Sequence, residues 1–237
     1  IKNYGYREDG VLLELIQNAD DALRERSEPG SKQRGVIIDL HNRILSFSHY
    51  GRPINEKIDE KSSGNNDLYS MLMLNRSEKE ANSATGKLGL GFKSVFLLSE
   101  QPEIQSKALC FSIKNGMFPQ EKKTRLDQHD DEVTLFRLPI KPEIPHEEIT
   151  QRIFSRVFES AALIPVFAHE IRKLVINIDD DEATFTYSPE ASESGQGWIA
   201  DLNAHVLCFS DPDSGIQLAV KLDADHKPTC FPDTMPP

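Results

Sequence analysis

Apolar residues at Leu12, Leu15, Ile16, Ala19 and Leu23 recur at three- and four-residue intervals, which predicts an amphipathic helix over residues 10 to 26. Ser27-Glu28-Pro29-Gly30-Ser31 ends it. The pattern then changes to short strand-like runs, Gly35–Leu40 and Ile44–Ser48, with His41-Asn42-Arg43 as the turn of a hairpin. Residues 55 to 85 are polar apart from Leu68–Leu74 and read as a long connection with a short helix inside it. Gly86–Gly91 is a glycine-rich turn running into a helix at Phe92–Leu98. Further strands are predicted at Ala108–Ile113, Val133–Leu138, Leu174–Ile178, Ala183–Tyr187, Trp198–Phe209 and Gly215–Leu222, with a helix at about Pro145–Ala162. Helices mixed with hairpin-linked strands give an α+β sandwich, one sheet covered on one face by helices. The prolines at 139, 142 and 145 mark the one candidate boundary.

Charge and cysteine usage narrow the class. With 27 Lys+Arg against 38 Asp+Glu among 237 residues, the formal charge is −11, which disfavours coating of a polyanion by the chain as a whole. Cys110, Cys208 and Cys230 are widely spaced, form neither a disulfide framework nor a metal-ligand pair, and fit a reducing, cytoplasmic setting. The longest apolar run, Ala161–Ala168, contains Pro165 and is too short for a membrane span, which needs roughly 20 residues. A start at Ile1 and an end at Met235-Pro236-Pro237 suggest a segment of a longer polypeptide.

The polar face of the first helix carries unusual residues. Glu14, Asn18 and Asp21 fall within roughly 60° of one another, opposite the apolar stripe. Asn and Asp are poor helix formers, yet Gln17-Asn18-Ala19-Asp20-Asp21 occupies positions where Glu, Lys or Ala would be favoured, without the basic partners that relieve stacked acids. A solvated acidic face is one reading. The other is chemical: Glu14 orients or deprotonates a water while the Asn18 carboxamide holds a hard cation such as Mg²⁺, which takes its remaining ligands from water and phosphate.

The run Gly86-Lys87-Leu88-Gly89-Leu90-Gly91-Phe92-Lys93-Ser94 has the pattern G-x-x-G-x-G at a loop-to-helix transition. Glycines let backbone amides approach an anion closely, and Lys87 and Lys93 add positive charge. No strand runs directly into it, so it is not the dinucleotide fingerprint, and no Lys-Ser/Thr pair closes it as in a Walker P-loop.

Taken in order, these motifs resemble the GHKL superfamily of ATP-binding domains, which includes heat-shock chaperones, MutL mismatch-repair proteins, type II topoisomerase ATPase domains and sensor histidine kinases. Glu14-Leu15-Ile16-Gln17-Asn18-Ala19-Asp20-Asp21-Ala22 is similar to the N-box helix, E-x-x-x-N-x-x-D-A, in its sacsin-type form. Ile44–Ile54 lies where the first glycine box is expected, Gly86–Phe96 is similar to the second, and Thr134 in Val133–Pro139 to a later strand threonine near the base. The resemblance covers about residues 8 to 140 and implies a two-layer Bergerat-type sandwich with a mixed, mostly antiparallel sheet. It implies Glu14 as catalytic base, Asn18 as Mg²⁺ ligand, and Asp21 and Ala22 in the pocket. His49, Gly51, Ile54 and Thr134 are implied at the base, with Gly86, Lys87, Leu88, Gly89, Leu90, Gly91 and Phe92 at the phosphates. Residues 1–140 are then the nucleotide core with a lid at about 55–85, and 141–237 the remainder of the sandwich and the start of a following β-rich region.

The first box departs from the family. His49 stands where an aspartate accepts a hydrogen bond from the adenine amino group, and Pro53 replaces a glycine. A neutral imidazole accepts that bond only in the right tautomer, so base recognition is expected to be weaker or pH-sensitive, with titration near 6.5 for an unperturbed imidazole. The expected function is a Mg²⁺-dependent, slowly hydrolysing ATP module whose lid closure regulates attached domains of the same polypeptide or a nucleotide-dependent homodimer. Neither membrane nor direct nucleic-acid contact is expected. The alternative is a catalytically silent nucleotide-binding scaffold, and a motor for a defence assembly also fits the family.

Overall fold

A computed structural model describes residues 7–26, 34–55, 67–72, 91–126, 130, 132–189, 196–199, 204–211 and 216–229. Helix α1 spans Val11–Arg24, within the predicted range, with Glu14 in its first turn and Arg24 in its last, each favourable to the helix dipole. Its apolar stripe is buried throughout. Asp20 is buried as well, because its carboxylate accepts the backbone N–H groups of His169, Glu170 and Ile171 at 2.8, 2.8 and 3.0 Å. Three charge-assisted bonds outweigh a helix-propensity penalty of about 0.7 kcal/mol.

Strands β1 (Gly35–His41) and β2 (Ile44–His49) form the predicted hairpin. Asn42 and Arg43 have φ of 48° and 62°, the left-handed pair a two-residue turn needs. Such a conformation is costly for Arg, and its Nη2 donates to the carbonyls of Lys141 and Ile144 at 2.7 and 2.9 Å, which offsets it. The same stretch is tied further by Lys141 N–H to Leu98 O at 2.8 Å.

The remaining strands are β3 (Glu103–Ser106), β4 (Leu109–Lys114), β5 (Phe118–Glu121), β6 (Thr134–Pro139), β7 (Lys173–Ile178), β8 (Asp181–Pro189), β9 (Gln196–Ile199), β10 (Ala204–Asp211), β11 (Ile216–Leu222) and β12 (Pro228–Thr229). Their order is β12-β11-β10-β9-β8-β7-β1-β2-β6-β3-β4-β5. All neighbours are antiparallel except β1 and β7, which pair in parallel from Gly35 opposite Lys173 to Leu40 opposite Ile178. The first six residues of β8 pair with β7, and its last three, Tyr187 to Pro189, pair with β9. Between the strands lie α2 (Asp67–Leu72), α3 (Ile149–Ser160) and α4 (Ile164–Phe167). The fold is a mixed α+β sandwich in which helices cover one face of a mostly antiparallel sheet. Buried α1 and α3 residues such as Leu12, Leu15, Ile153 and Phe154 share one core with Val36, Ile38, Leu45, Phe47 and Ile176 of the sheet. Each such side chain contributes about 1.5–3 kcal/mol of apolar burial.

Several local expectations change. Residues 92–97 form a 3₁₀ helix, the predicted 198–209 strand is two antiparallel strands, and β3, β5 and β12 were not anticipated. Cys110 and Cys208 are unbridged and half-buried, while Cys230 lies outside the described residues. No helix among the described residues is long and apolar enough to cross a membrane.

Candidate functional site

Two clusters form where α1 meets the rest of the domain. At its N-terminal end the half-buried Glu14 lies against Gly91, the last glycine of the glycine-rich run. A methyl group at Gly91 would stand 2.4 Å from Glu14 Oε2, so only hydrogen fits there with the carboxylate as placed. Gly91 is held in turn by Ser94, whose N–H and hydroxyl both donate to its carbonyl at 3.0 and 2.7 Å. Asn18, one turn beyond Glu14, is exposed, leaving its carboxamide accessible from solvent. Asp21 is buried, 3.5 Å from Arg24 Nη2.

The second cluster surrounds the end of β2. Gly51 packs directly on the α1 backbone: a methyl there would be 2.7 Å from the Ala22 carbonyl carbon and 2.8 Å from the Leu23 nitrogen. The next amide, of Arg52, donates to the Ala22 carbonyl at 2.7 Å, so the loop is stitched to the helix. His49 sits opposite Thr134 across the β2–β6 pair and is 5% exposed. Its ring stacks on Phe136 at 6.3 Å and 21° and meets Phe47 edge-on. Phe92, half-buried, lies 5.8 Å from the same Phe136 ring, which places it in the aromatic packing behind the cluster.

His49 Nδ1 accepts the Gly51 N–H at 3.1 Å. Burial pushes the imidazole pKa down to about 4, so the ring is neutral at physiological pH. This corrects two sequence expectations: His49 does not titrate near 6.5, and its accepting nitrogen is already engaged. Thr134 Oγ1 is 2.8 Å from Ser106 Oγ, which also accepts the Ile54 N–H at 3.0 Å. Ser106 thus ties Ile54 to Thr134. Nothing in the sequence singled it out, because the four-residue β3 shows no clear alternation.

The structure also reassigns a cation. Lys93 is buried and donates from Nζ to the carbonyls of Leu72 and Gly116 at 2.7 and 2.6 Å, anchoring the end of α2. Burial lowers its pKa. Lys93 is therefore a structural clasp and not the phosphate-side charge the sequence suggested. Arg52 plays a similar part at the start of α2. It meets Asp67 through two nitrogens at 2.7 and 3.0 Å and Glu25 at 2.8 Å. Burial alone would lower its pKa, but these two carboxylates raise it. Gly86, Lys87, Leu88, Gly89 and Leu90, with most of the 55–85 lid, lie outside the described residues. A separate cavity of about 480 Å³ between Asp9, Leu97 and Arg152 shares no residue with either cluster.

Among solved structures, the chain is similar to the topoisomerase IV ATP-binding domain of Francisella tularensis in complex with a small-molecule inhibitor, at a TM-score of 0.50 and 14% identity. The match covers 87% of this chain and 57% of that one. No protein-family model matches the sequence, and no curated protein matches it. At this identity the likeness is one of architecture: the chain shares the overall fold of that ATP-binding domain.

Proposed function

We propose that this chain binds ATP between α1 and the glycine-rich run and hydrolyses it slowly, with nucleotide occupancy controlling a lid and whatever the lid touches. The observation that carries the reading is the contact of Glu14 with Gly91, which joins the N-box-like helix to the glycine-rich run. Supporting it, Glu14 and Ala22 are eight residues apart on α1, about 12 Å of helix rise, comparable with an extended nucleoside triphosphate. On this reading the triphosphate meets the amides of residues 86 to 91, and the base lies over His49, Gly51, Ile54 and Thr134.

The exposed Asn18 carboxamide one turn from Glu14 suits an ion that takes a single neutral protein oxygen. Mg²⁺ held there through Asn18 would supply positive charge to the phosphate oxygens. Glu14 would orient a water for in-line attack on the γ-phosphorus and take its proton. The bond to the bridging oxygen breaks, releasing ADP and phosphate. The 55–85 segment would close over the nucleotide and exclude water. The output would be conformational, biasing dimerisation or docking of other domains in the manner of sacsin-type and chaperone relatives of the fold. The domain division at about residue 140 belongs to the same proposal.

Calorimetric titration with ATP and ADP, with and without Mg²⁺, tests binding. Glu14→Ala tests catalysis: binding should persist while turnover falls by at least about 10²-fold. Binding without any turnover in the parent would favour the silent scaffold.

A further inference from the structure

Resting on the proposed nucleotide site, we propose that His49 reads the base as a hydrogen-bond donor, so that the site takes 6-oxopurine nucleotides such as ITP at least as tightly as ATP. The argument begins with the Gly51 amide. Its N–H points at His49 Nδ1 at 3.1 Å, and a nitrogen that accepts a hydrogen bond carries no proton. The single proton of the neutral ring therefore sits on Nε2. The arrangement is rigid on both sides. Gly51 is pinned by its contact with Ala22 and by the Arg52 N–H to Ala22 O bond, while the imidazole is stacked on Phe136 and flanked by Phe47. Turning the ring over would leave the buried Gly51 N–H without its acceptor.

Among the described residues the one side-chain hydrogen bond of His49 is the bond from Gly51, so Nε2–H is left for a ligand. Nearby, Ser106 and Thr134 bond each other, and Ser106 also takes the Ile54 N–H. A 6-oxo group accepts from Nε2–H. A 6-amino group presents a second donor to it, leaving both groups unpaired, the kind of mismatch a polar site rejects. ITP is the clean probe, since it differs from ATP at the 6-position and the adjoining N1 proton, whereas GTP adds a 2-amino group.

The test is calorimetry of the 237-residue chain with ITP, GTP and ATP, alongside long-range ¹H–¹⁵N spectra of His49. The expected results are an Nε2–H tautomer and an ITP Kd no higher than that for ATP. His49→Asp, an acceptor only, should move the preference towards ATP by roughly tenfold. His49→Asn, which carries both polarities, should level the two and serves where a buried carboxylate prevents folding. ATP bound more tightly than ITP by the parent, or an Nδ1–H tautomer, would overturn the proposal while leaving the nucleotide site standing. Failure of all three nucleotides to bind would bring down the site itself, and this inference with it.

Discussion

The carboxylate of Asp20 accepts the backbone N–H of Ile171 at 3.0 Å, a bond between residues 151 apart in the chain. With the amides of His169 and Glu170 on the same carboxylate, it fixes the loop that leads into β7. Asp20→Ala leaves three amides without their acceptor and should cost about 3 kcal/mol in urea unfolding. Asp20→Asn keeps one accepting oxygen and should lose roughly half as much.

The two glycines that touch α1 should respond differently to the same substitution. At Gly51 an added methyl meets helix backbone at 2.7 Å, which cannot retreat, so Gly51→Ala should destabilise by about 1–3 kcal/mol. At Gly91 it meets the far end of a flexible carboxylate. Gly91→Ala should leave thermal stability within about 1 kcal/mol and displace Glu14, lowering turnover towards that of Glu14→Ala. Paired melting curves and steady-state rates check both.

Burial of His49 makes stability depend on pH. The folded pKa is about 4 against 6.5 for the free side chain, so the unfolded chain binds one more proton between those values. The folded state is therefore favoured most above 6.5, and this contribution is lost as pH falls towards 4. A shift of that size corresponds to about 3 kcal/mol, which should appear as a steeper acid-side slope in the parent than in His49→Gln when urea unfolding is followed from pH 7 to 4.5. Nucleotide affinity should show no His49-dependent change between pH 6.5 and 8.

Arg52 joins the C-terminal turn of α1, through Glu25, to the first residue of α2, through Asp67. Asp67 also accepts the Asn55 N–H at 2.7 Å, and Asn55 Oδ1 accepts the Leu68 N–H at 3.0 Å. Asp67→Ala removes the acceptor shared by Arg52 and Asn55. It should accelerate amide exchange across residues 67–72 at least about tenfold while changing global stability by roughly 1–2 kcal/mol, the pair being partly open to solvent.

What could be read from the sequence was what local spacing encodes. The stripe Leu12, Leu15, Ile16, Ala19, Leu23 located α1, and the alternation in residues 35–48 located the first hairpin, because both patterns repeat within one element. Asp20 looked like part of an acidic face because its amide partners lie near position 170. β3 escaped notice because Gln105 and Ser106 are both buried, so its four residues do not alternate. β5 has all four positions exposed and carries no pattern at all. The β1–β7 pairing joins strands more than a hundred residues apart, which hairpin-based reasoning cannot supply. At the candidate site, the identities of Glu14, His49, Gly51 and Gly91 stood out from their motifs. Spacing could not reveal which His49 nitrogen is already engaged, or that Lys93 turns to the carbonyls of Leu72 and Gly116.

The sharing of β8 between two neighbours has a practical consequence for shortening the chain. Its first six residues seal the outer side of β7, and its last three carry β9. Ending the polypeptide after residue 178 would strip that cover and leave β7 as a bare margin of the sheet. The apolar Leu174, Val175 and Ile176 would then lie along it, a template on which one molecule can stack against the next. A trimmed version kept free of aggregates should therefore retain residues through at least 189.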